Sequence, residues 1–384
     1  RSVSRLERLV RILPYAATTL CALHEDARRD GGKLVTPEPQ TWEEFPVPRN
    51  PARRTRRPDR QKRKPRRRFT DHAPLSPETV VPLDADERET ARRAAMLSRL
   101  GFPDTFARQL TPAEASDAAG LRLPRSGLWL PGCDALDPAE PARAWLATPG
   151  VTLRTGSPVA SLEPVPGGWR ARAADERVLG EAAIAILANA GDAARLAASS
   201  SLALRRVRGQ GTLVARERIG ALRTVLGGDA YAAPLGEMIL AGASYDDGES
   251  LEPSREVDAA NLRRLARMIG GDAAAWLEGA GSGPVGHRYA STDRMPVIGQ
   301  LPDEAAALRE AAALLRNDRL PVPRANGLFG AFAFGSRGLL WSALAAGLLP
   351  ALVEGDPMPL EADLLRALDP ARFVRRMLRR RARD

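Results

Sequence analysis

Apolar positions recur along this chain in two rhythms, and a long opening stretch shows neither. Alternation at period two, bounded by glycine and proline, marks half-buried strands; recurrence at i, i+3 and i+4 marks helices. From residue 85 onward the two interleave. "ADERETARRAAMLSRL" (85–100) has helical spacing, with acids leading and arginines trailing as the helix dipole favours. In "LTPAEASDAAG", Thr111 suits an N-cap, Glu114 follows three residues on, and Gly120 suits a stop. "SGLWLPG" reads as a short strand. Across 151–191, "VTLRTG", "PVASLEP" and "GGWRARA" read as strands, and "AAIAILANAG" as a buried strand ending in small residues. "RRVRGQGTLVA", "YAAPLGEMILAGASY" and "GPVGHRYASTDRMPVIG" are further strand-like pieces. Between the last two, "SREVDAANLRRLARMIG" predicts a helix with Leu262, Leu265 and Ile269 on one face and Gly270 as its stop. Finally "GSRG" joins a strand-like "GLFGAFAF" to a helix-like "LLWSALAAGLL". Helices and strands alternate without internal repeats, so the fold class is mixed α/β.

Residues 1–82 differ. A short amphipathic helix broken at Pro14 is expected near the start. After it, "PEPQTWEEFPVPRNPARRTRRPDRQKRKPRRRFTDHAPLSP" is rich in proline and cation and lacks apolar period. Such a stretch cannot bury enough surface to offset its ordering entropy, which predicts a disordered linker at about 46–77. Charge sharpens this picture. The net charge is +10, yet 12 Lys/Arg and a single aspartate, Asp59, lie between Arg49 and Arg68. The remainder is close to neutral, with a second arginine-rich run at 372–383. A basic arm of this kind either contacts RNA phosphates non-specifically or is a solvated linker.

A length of 384 residues allows about two or three domains. Two cysteines, Cys21 and Cys133, make no disulfide framework, and His24, His72 and His287 are far apart. That argues against a metal centre or a Ser-His-Asp site, and a reduced cytoplasmic compartment is the default. The chain opens with Arg1 rather than Met, so it reads as a fragment whose targeting information is lost. The apolar run Gly338 to Val353, interrupted by Pro350, falls short of the about 20 residues a membrane span needs. A buried core helix is expected there instead, and no membrane partner.

Candidate chemistry gathers in three places. "GHRYASTDRMPVIG" sets Arg288 and Asp293 around a polar turn. Flanked by apolar stretches, Arg288 needs an anion: either a nearby acid or a substrate carboxylate gripped by its planar fork. In "GSRG", the N–H groups of Gly335, Ser336 and Gly338 face whatever lies at a helix N-terminus. "ILANAG" either leads into a ligand crevice at the carboxyl end of a sheet or is simply a core strand.

The order "ILANAGDA", "RGQ", "YAAPLGEMILAGASY", "RYASTDRMPVIG", "GLFGAFAFGSRGLLWSALAAGLL" resembles the D-amino-acid oxidase and glycine oxidase family of flavoproteins. "DERETARRAAMLSRLGFPDTFARQLTPAEASDAAGLRLPRSGLWLPG" and the tail "MPLEADLLRALDPARFVRRMLRRR" narrow the resemblance. They are similar to the C-terminal oxidoreductase part of the bacterial bifunctional tRNA 5-methylaminomethyl-2-thiouridine biosynthesis family. The resemblance runs from about residue 84 to residue 381.

It implies a two-domain flavoprotein with interleaved parts: 83–150 and 205–290 as substrate domain, and 151–204 and 291–384 as the remainder of the FAD-binding domain. Residues 1–82 stand apart as an atypical segment. The implied cofactor is FAD, which takes a hydride, so no catalytic nucleophile is expected. The implied reaction removes the carboxymethyl group from 5-carboxymethylaminomethyl-(2-thio)uridine at the tRNA wobble position, leaving the aminomethyl form and glyoxylate. By the same resemblance Arg288, Arg337 and Tyr231 bind the substrate carboxylate. Gly335, Ser336, Arg337, Gly338 and Gly330 lie by the flavin, with Ala188, Asn189, Gly191 and Val159 at the strand end near the cofactor.

Members of this family open with a strand, G-x-G-x-x-G, and an acid about 20 residues on. The chain is read as lacking that fingerprint, with residues 1–82 in its place. The pyrophosphate then loses its main anchor and the parallel sheet its central strand, as in a truncated or frame-disrupted gene product. The family's methyltransferase half is also absent, so no methyl transfer is assigned. Two other readings stand beside this one: an oxidase of a free small amine or amino acid such as glycine or sarcosine, and a non-catalytic RNA-binding remnant using the basic arm and the C-terminal arginines.

Overall fold

Two local signals near the start of the described residues fold as their chemistry requires. The computed structural model describes residues 80–130, 133 and 137–383. The expected N-terminal helix and the proline-arginine segment lie outside these residues. Helix α1 (Glu87–Leu100) is capped by Asp86, whose side chain accepts from the Glu89 amide, and ends at Gly101 in the left-handed region. Helix α2 (Pro112–Ala119) has the reciprocal capping box of Thr111 and Glu114 and stops at Gly120, as the spacing predicts. Before and after α2, β2 (Arg108–Leu110) and β3 (Gly127–Trp129) pair antiparallel.

The largest sheet has six strands in the order β1-β9-β10-β11-β8-β12. These are β1 (Val80–Pro82), β8 (Leu204–Ala215), β9 (Val225–Gly227), β10 (Tyr231–Leu235), β11 (Met238–Gly242) and β12 (Gly281–Ser291). β10 and β11 form a hairpin, and β8 lies antiparallel to both β11 and β12. One face of this sheet is covered by helix α3 (Arg255–Ile269). Its Leu262, Leu265 and Ile269 are buried against Val214, Ala232, Ile239 and Ala241 in one cluster. Beneath α3 runs a polar seam. Asp258, fully buried, accepts from Gln210 at 2.9 Å, Thr212 at 2.7 Å and Ser282 at 2.7 Å, while Asn261 donates to the Gln210 carbonyl at 2.9 Å. Burial without such partners would be costly, and here every donor finds one.

A second, three-stranded sheet has the order β13-β14-β7: β7 (Ala185–Leu187), β13 (Val297–Pro302) and β14 (Arg324–Phe332). β14 runs parallel to β7 and antiparallel to β13. A meander of β4 (Ser161–Val165), β5 (Gly168–Arg172) and β6 (Val178–Ala182) precedes it. The meander is tied to β14 by the Trp169 indole donating to the Asn326 carbonyl at 2.8 Å. Helices α4 (Glu304–Arg309) and α5 (Ala311–Arg316) fill the β13–β14 connection. After β14 come α6 (Gly338–Glu354), α7 (Ala362–Leu368) and α8 (Ala371–Arg381). Trp341, Leu344 and Leu348 of α6 pack on Ile298 and Phe329, so this apolar helix is a core helix. Among the described residues no helix is long and apolar enough to cross a membrane.

Three expectations are corrected. "VTLRTG" (151–156) forms no strand: no neighbouring strand takes up its backbone groups, and Val151 and Leu153 are exposed. "AAIAILANAG" yields only the three-residue β7, and Ile184 and Ile186 are 38% and 49% exposed. The reason is positional, because β7 is the edge of its sheet among the described strands. The letters G-x-G-x-x-G do occur, as Gly281 to Gly286. They lie within β12, laddered to β8 with a register shift between Ser282 and Val285, and no helix follows them. They are therefore strand, not a phosphate loop.

Candidate active site

Strand β12 is the element that joins the two sheets. Its Ala290 bridges Phe334, and the Gly335 amide donates to the Tyr289 carbonyl at 2.9 Å. The end of the substrate-side strand is thereby fixed to the "GSRG" loop. On the other side Gly191 packs so closely under Tyr289 that a Cβ there would lie 2.3 Å from the ring. Gly191, Tyr289 and Gly335 consequently form one contact chain. Gly335 itself sits at φ +57, where only a residue without Cβ is unstrained.

The loop ends in the N-terminus of α6. Arg337 is its N-cap residue, is exposed, and makes no side-chain cap. Opening amides of a helix have no intrahelical acceptor, so those of Gly338 and its successors are free to face an anion, and no acid occupies this first turn. Ser336 is exposed and Gly338 half-buried beside it. Gly330, in contrast, lies inside β14 between Leu301 and Phe332, where a Cβ would meet the Phe332 ring at 2.7 Å. Its observed role is packing.

The end of β7 continues through Ala188 and Asn189, both exposed, into a single 3₁₀ turn at Ala190–Asp192. Val159 is drawn to this turn by Arg195, which donates to the Val159 carbonyl at 3.3 Å and to Asp192 at 2.5 Å. Ala188, Asn189, Gly191 and Val159 thus share one neighbourhood at the carboxyl end of β7.

Arg288 and Tyr231 occupy the sheet face opposite α3. Strand alternation sends Arg288 and Tyr289 to opposite sides. Arg288 lies flat over Gly209, where a Cβ would be 2.1 Å from its Nη1, and Tyr231 lies over Gly242, where a Cβ would be 2.9 Å from its Oη. Two strands, β11 and β8, separate their backbones. Gly211, between them, is covered by the buried Leu240 side chain, whose Cδ1 would lie 2.8 Å from a Cβ there. Nη1 of Arg288 is buried and has no hydrogen-bond partner. A guanidinium N–H in that state is held ready for an anion, since burial without one costs about 1–3 kcal/mol or more.

The sequence left open whether Arg288 pairs with a nearby acid. Asp293 is already engaged elsewhere. It accepts from Arg372 at 2.8 Å, from Arg376 at 2.7 Å and from Ser291 at 2.7 Å. Burial pushes this carboxyl up, but the Arg372 hydrogen bond and charge, the Ser291 hydroxyl and Arg376 outweigh it and hold it below the usual carboxylate range. Asp293 is thus a structural anchor for α8, and among the described residues no acid neutralises Arg288. Sequence reasoning missed the roles of Gly209, Gly242 and Tyr289. Glycines two apart within a strand, as in "RGQG", were the available signal for a close approach.

A dinucleotide cofactor such as FAD needs a ring site and a phosphate site. At the ring end Gly191 and Gly335 close on Tyr289, and the opening amides of α6 lie next in the chain. The pyrophosphate end is not furnished by the described residues, in which no strand is followed by G-x-G-x-x-G and a helix. A separate cleft of about 1060 Å³ lies on the far side, between α2 and Trp276, and includes none of these residues.

Comparison with known proteins places these features in context. Residues 60–352 match the family model described as FAD dependent oxidoreductase. The chain is 41% identical over 315 residues to the tRNA 5-methylaminomethyl-2-thiouridine biosynthesis bifunctional protein MnmC of Cupriavidus necator, covering 78% of this chain and 48% of that protein. The protein of the same name from Burkholderia thailandensis is 41% identical over 302 residues, covering 77% and 46%. The chain therefore spans about half the length of the curated relatives it matches. Among solved structures, glycine oxidase from Geobacillus kaustophilus aligns with a TM-score of 0.59 at 22% identity, covering 75% of this chain and 74% of that one. Iminodiacetate oxidase from Chelativorans sp. BNC1 aligns with a TM-score of 0.58 at 20% identity, covering 74% of each. At these identities the structural likeness speaks for the fold alone.

Proposed function

Because the chain belongs to the family of FAD-dependent oxidoreductases, we propose that it oxidises an N-carboxymethyl amine carried on a tRNA wobble uridine. The substrate is 5-carboxymethylaminomethyl-(2-thio)uridine, and the products are the aminomethyl nucleoside and glyoxylate. The observation that carries the reading is the buried, unpartnered Nη1 of Arg288, packed over Gly209. The 41% identity to proteins named for this tRNA modification supports the choice of substrate.

In this reading Arg288 grips the substrate carboxylate, Tyr231 donates to it from β10, and Arg337 approaches from the loop. A carboxylate fixed at one end presents the carbon beside the amine in a single orientation, which is the larger part of what the protein must supply. FAD, when bound, supplies the acceptor for the hydride that leaves this carbon. The α6 N-terminus, with Ser336 and Gly338, offers amides to negative charge, the Gly335 amide fixes the loop to Tyr289, and Ala188, Asn189, Gly191 and Val159, at the end of β7, are assigned to the cofactor. In this reading 83–150 and 205–290 are the substrate parts and 151–204 and 291–384 the cofactor parts.

The test is to add FAD to the purified chain, desalt it, and record its visible spectrum, then supply tRNA bearing the carboxymethylaminomethyl group. Flavin absorbance near ~450 nm that survives desalting, with glyoxylate released from tRNA, is the expected result. A chain that holds flavin but turns over only free glycine or sarcosine overturns the tRNA reading. A colourless chain overturns the enzymatic one.

A further inference from the structure

We propose that the outer face of α8, with the turn that follows α5, is a docking surface for the phosphate backbone of tRNA, distinct from the pocket that takes the modified base. This rests on the tRNA reading above. Helix α8 buries Ala371, Phe373, Val374 and Leu378, and everything else on it except Met377 is arginine. Four of these arginines are spent on the fold. Arg372 and Arg376 hold Asp293, while Arg375 and Arg379 reach Asp318 at 3.7 and 2.8 Å. Arg375 also donates to the Leu320 carbonyl. These contacts clamp the 317–320 turn against the last turns of α8.

The end of α5 and the clamped turn carry Arg316 and Arg319, and the end of α8 and the residues after it carry Arg380, Arg381 and Arg383. All five are exposed, and among the described residues none has an acid within ion-pair distance. Asp318 is the one acid in the turn and is already shared by two arginines. Concentrating like charge on a rigid helix disfavours the isolated fold, and a polyanion removes that penalty while releasing its counterions. All the cations are arginine, whose planar fork matches phosphate oxygens.

The packing also distinguishes the partner. A helix that binds a membrane surface needs its apolar face free to enter the lipid. That face of α8 lies in the core with Ala307, Leu314 and Val322. What remains outside is charge without apolar area, which suits a nucleic-acid backbone.

The experiment measures tRNA binding to the full chain as a function of salt. It compares the wild type with a variant carrying Arg380→Gln, Arg381→Gln and Arg383→Gln, and with the corresponding triple lysine variant. Each lost phosphate contact should flatten the log–log salt slope by about 0.7–0.9, so the glutamine variant should lose about 2 and bind at least about tenfold more weakly near physiological salt. The lysine variant should keep the slope, and melting curves should coincide because no buried residue is touched. A glutamine variant with the wild-type slope overturns the surface and leaves the tRNA reading intact. Wild-type chain that fails to bind tRNA even at low salt overturns both. Loss of binding to phosphatidylserine vesicles in the glutamine variant, with tRNA binding unchanged, also overturns the proposal, in favour of a membrane.

Discussion

Arg288 and Gly209 act as a pair, and each can be altered without the other. Replacing Arg288 by lysine keeps the charge but loses the fork, and is expected to weaken binding of an N-substituted glycine by about 10–100-fold, or roughly 1.4–3 kcal/mol. Gly209→Ala is the more telling change. Its Cβ would collide with the far end of Arg288 rather than with backbone, so the arginine moves and the sheet stays. Thermal stability should remain within about 1 kcal/mol of wild type while carboxylate affinity falls at least about tenfold, measured by calorimetry beside a melting curve. Equal loss of both would show Gly209 to be a packing position only. Reading Arg288 as an anion seeker required no more than its apolar flanks. Recognising that Asp293 is not its partner required coordinates, because the arginines that claim Asp293 lie 79 residues or more along the chain.

At the scale of elements, the polar seam under α3 should be the most sensitive. Asp258→Ala strands the donors of Gln210 and Thr212 in a buried layer and frees the exposed Ser282, and is expected to cost about 3 kcal/mol in a urea unfolding titration. A loss below about 1 kcal/mol would mean the seam is repaired by water. Thr111→Ala, which removes half of the α2 capping box, should cost only about 1 kcal/mol. The caps at Thr111 and Gly120 were legible because capping is a contact between residues two to four apart. The failures among the strands have a common cause. A strand is completed by a partner, and neither "VTLRTG" nor the outer edge of β7 has one among the described residues. Sequence also assigns no neighbour to a glycine motif, which is why Gly281 to Gly286 carries a phosphate-loop spelling while serving as strand.

Over the whole molecule, two carboxylates tie distant segments together and set an acid limit. Asp293 anchors α8, and Glu304 gathers Ser199, Ser200 and Ser201 at the start of α4. Burial raises Glu304, but the Ser199 and Ser201 hydroxyls and the Ser200 amide outweigh it, so both acids are held below their ordinary values. A carboxyl lowered in the folded state contributes stability above its unfolded pKa of about 4, and that contribution is lost as pH falls through the folded value. The urea midpoint should therefore be flat from neutrality to about pH 5 and decline below it. Asp293→Asn should lower the neutral plateau by about 3 kcal/mol and make the decline shallower. A variant that declines as steeply as the wild type would remove Asp293 from the account.

The chain by itself determined what depends on neighbours in sequence. Helix faces follow from periodicity, stops from glycine, the lone cation from its apolar flanks, and the family from an ordered set of short motifs. Tertiary structure decided what depends on distant residues meeting. Asp293 belongs to α8, Arg288 is left with an unpartnered donor over Gly209, Gly191 and Gly335 close on Tyr289, and the arginines of α8 divide into those that hold the fold and those that face outward. Side-chain chemistry is local, but whether a charge is already satisfied depends on which other segment reaches it. That is settled only when the chain is folded.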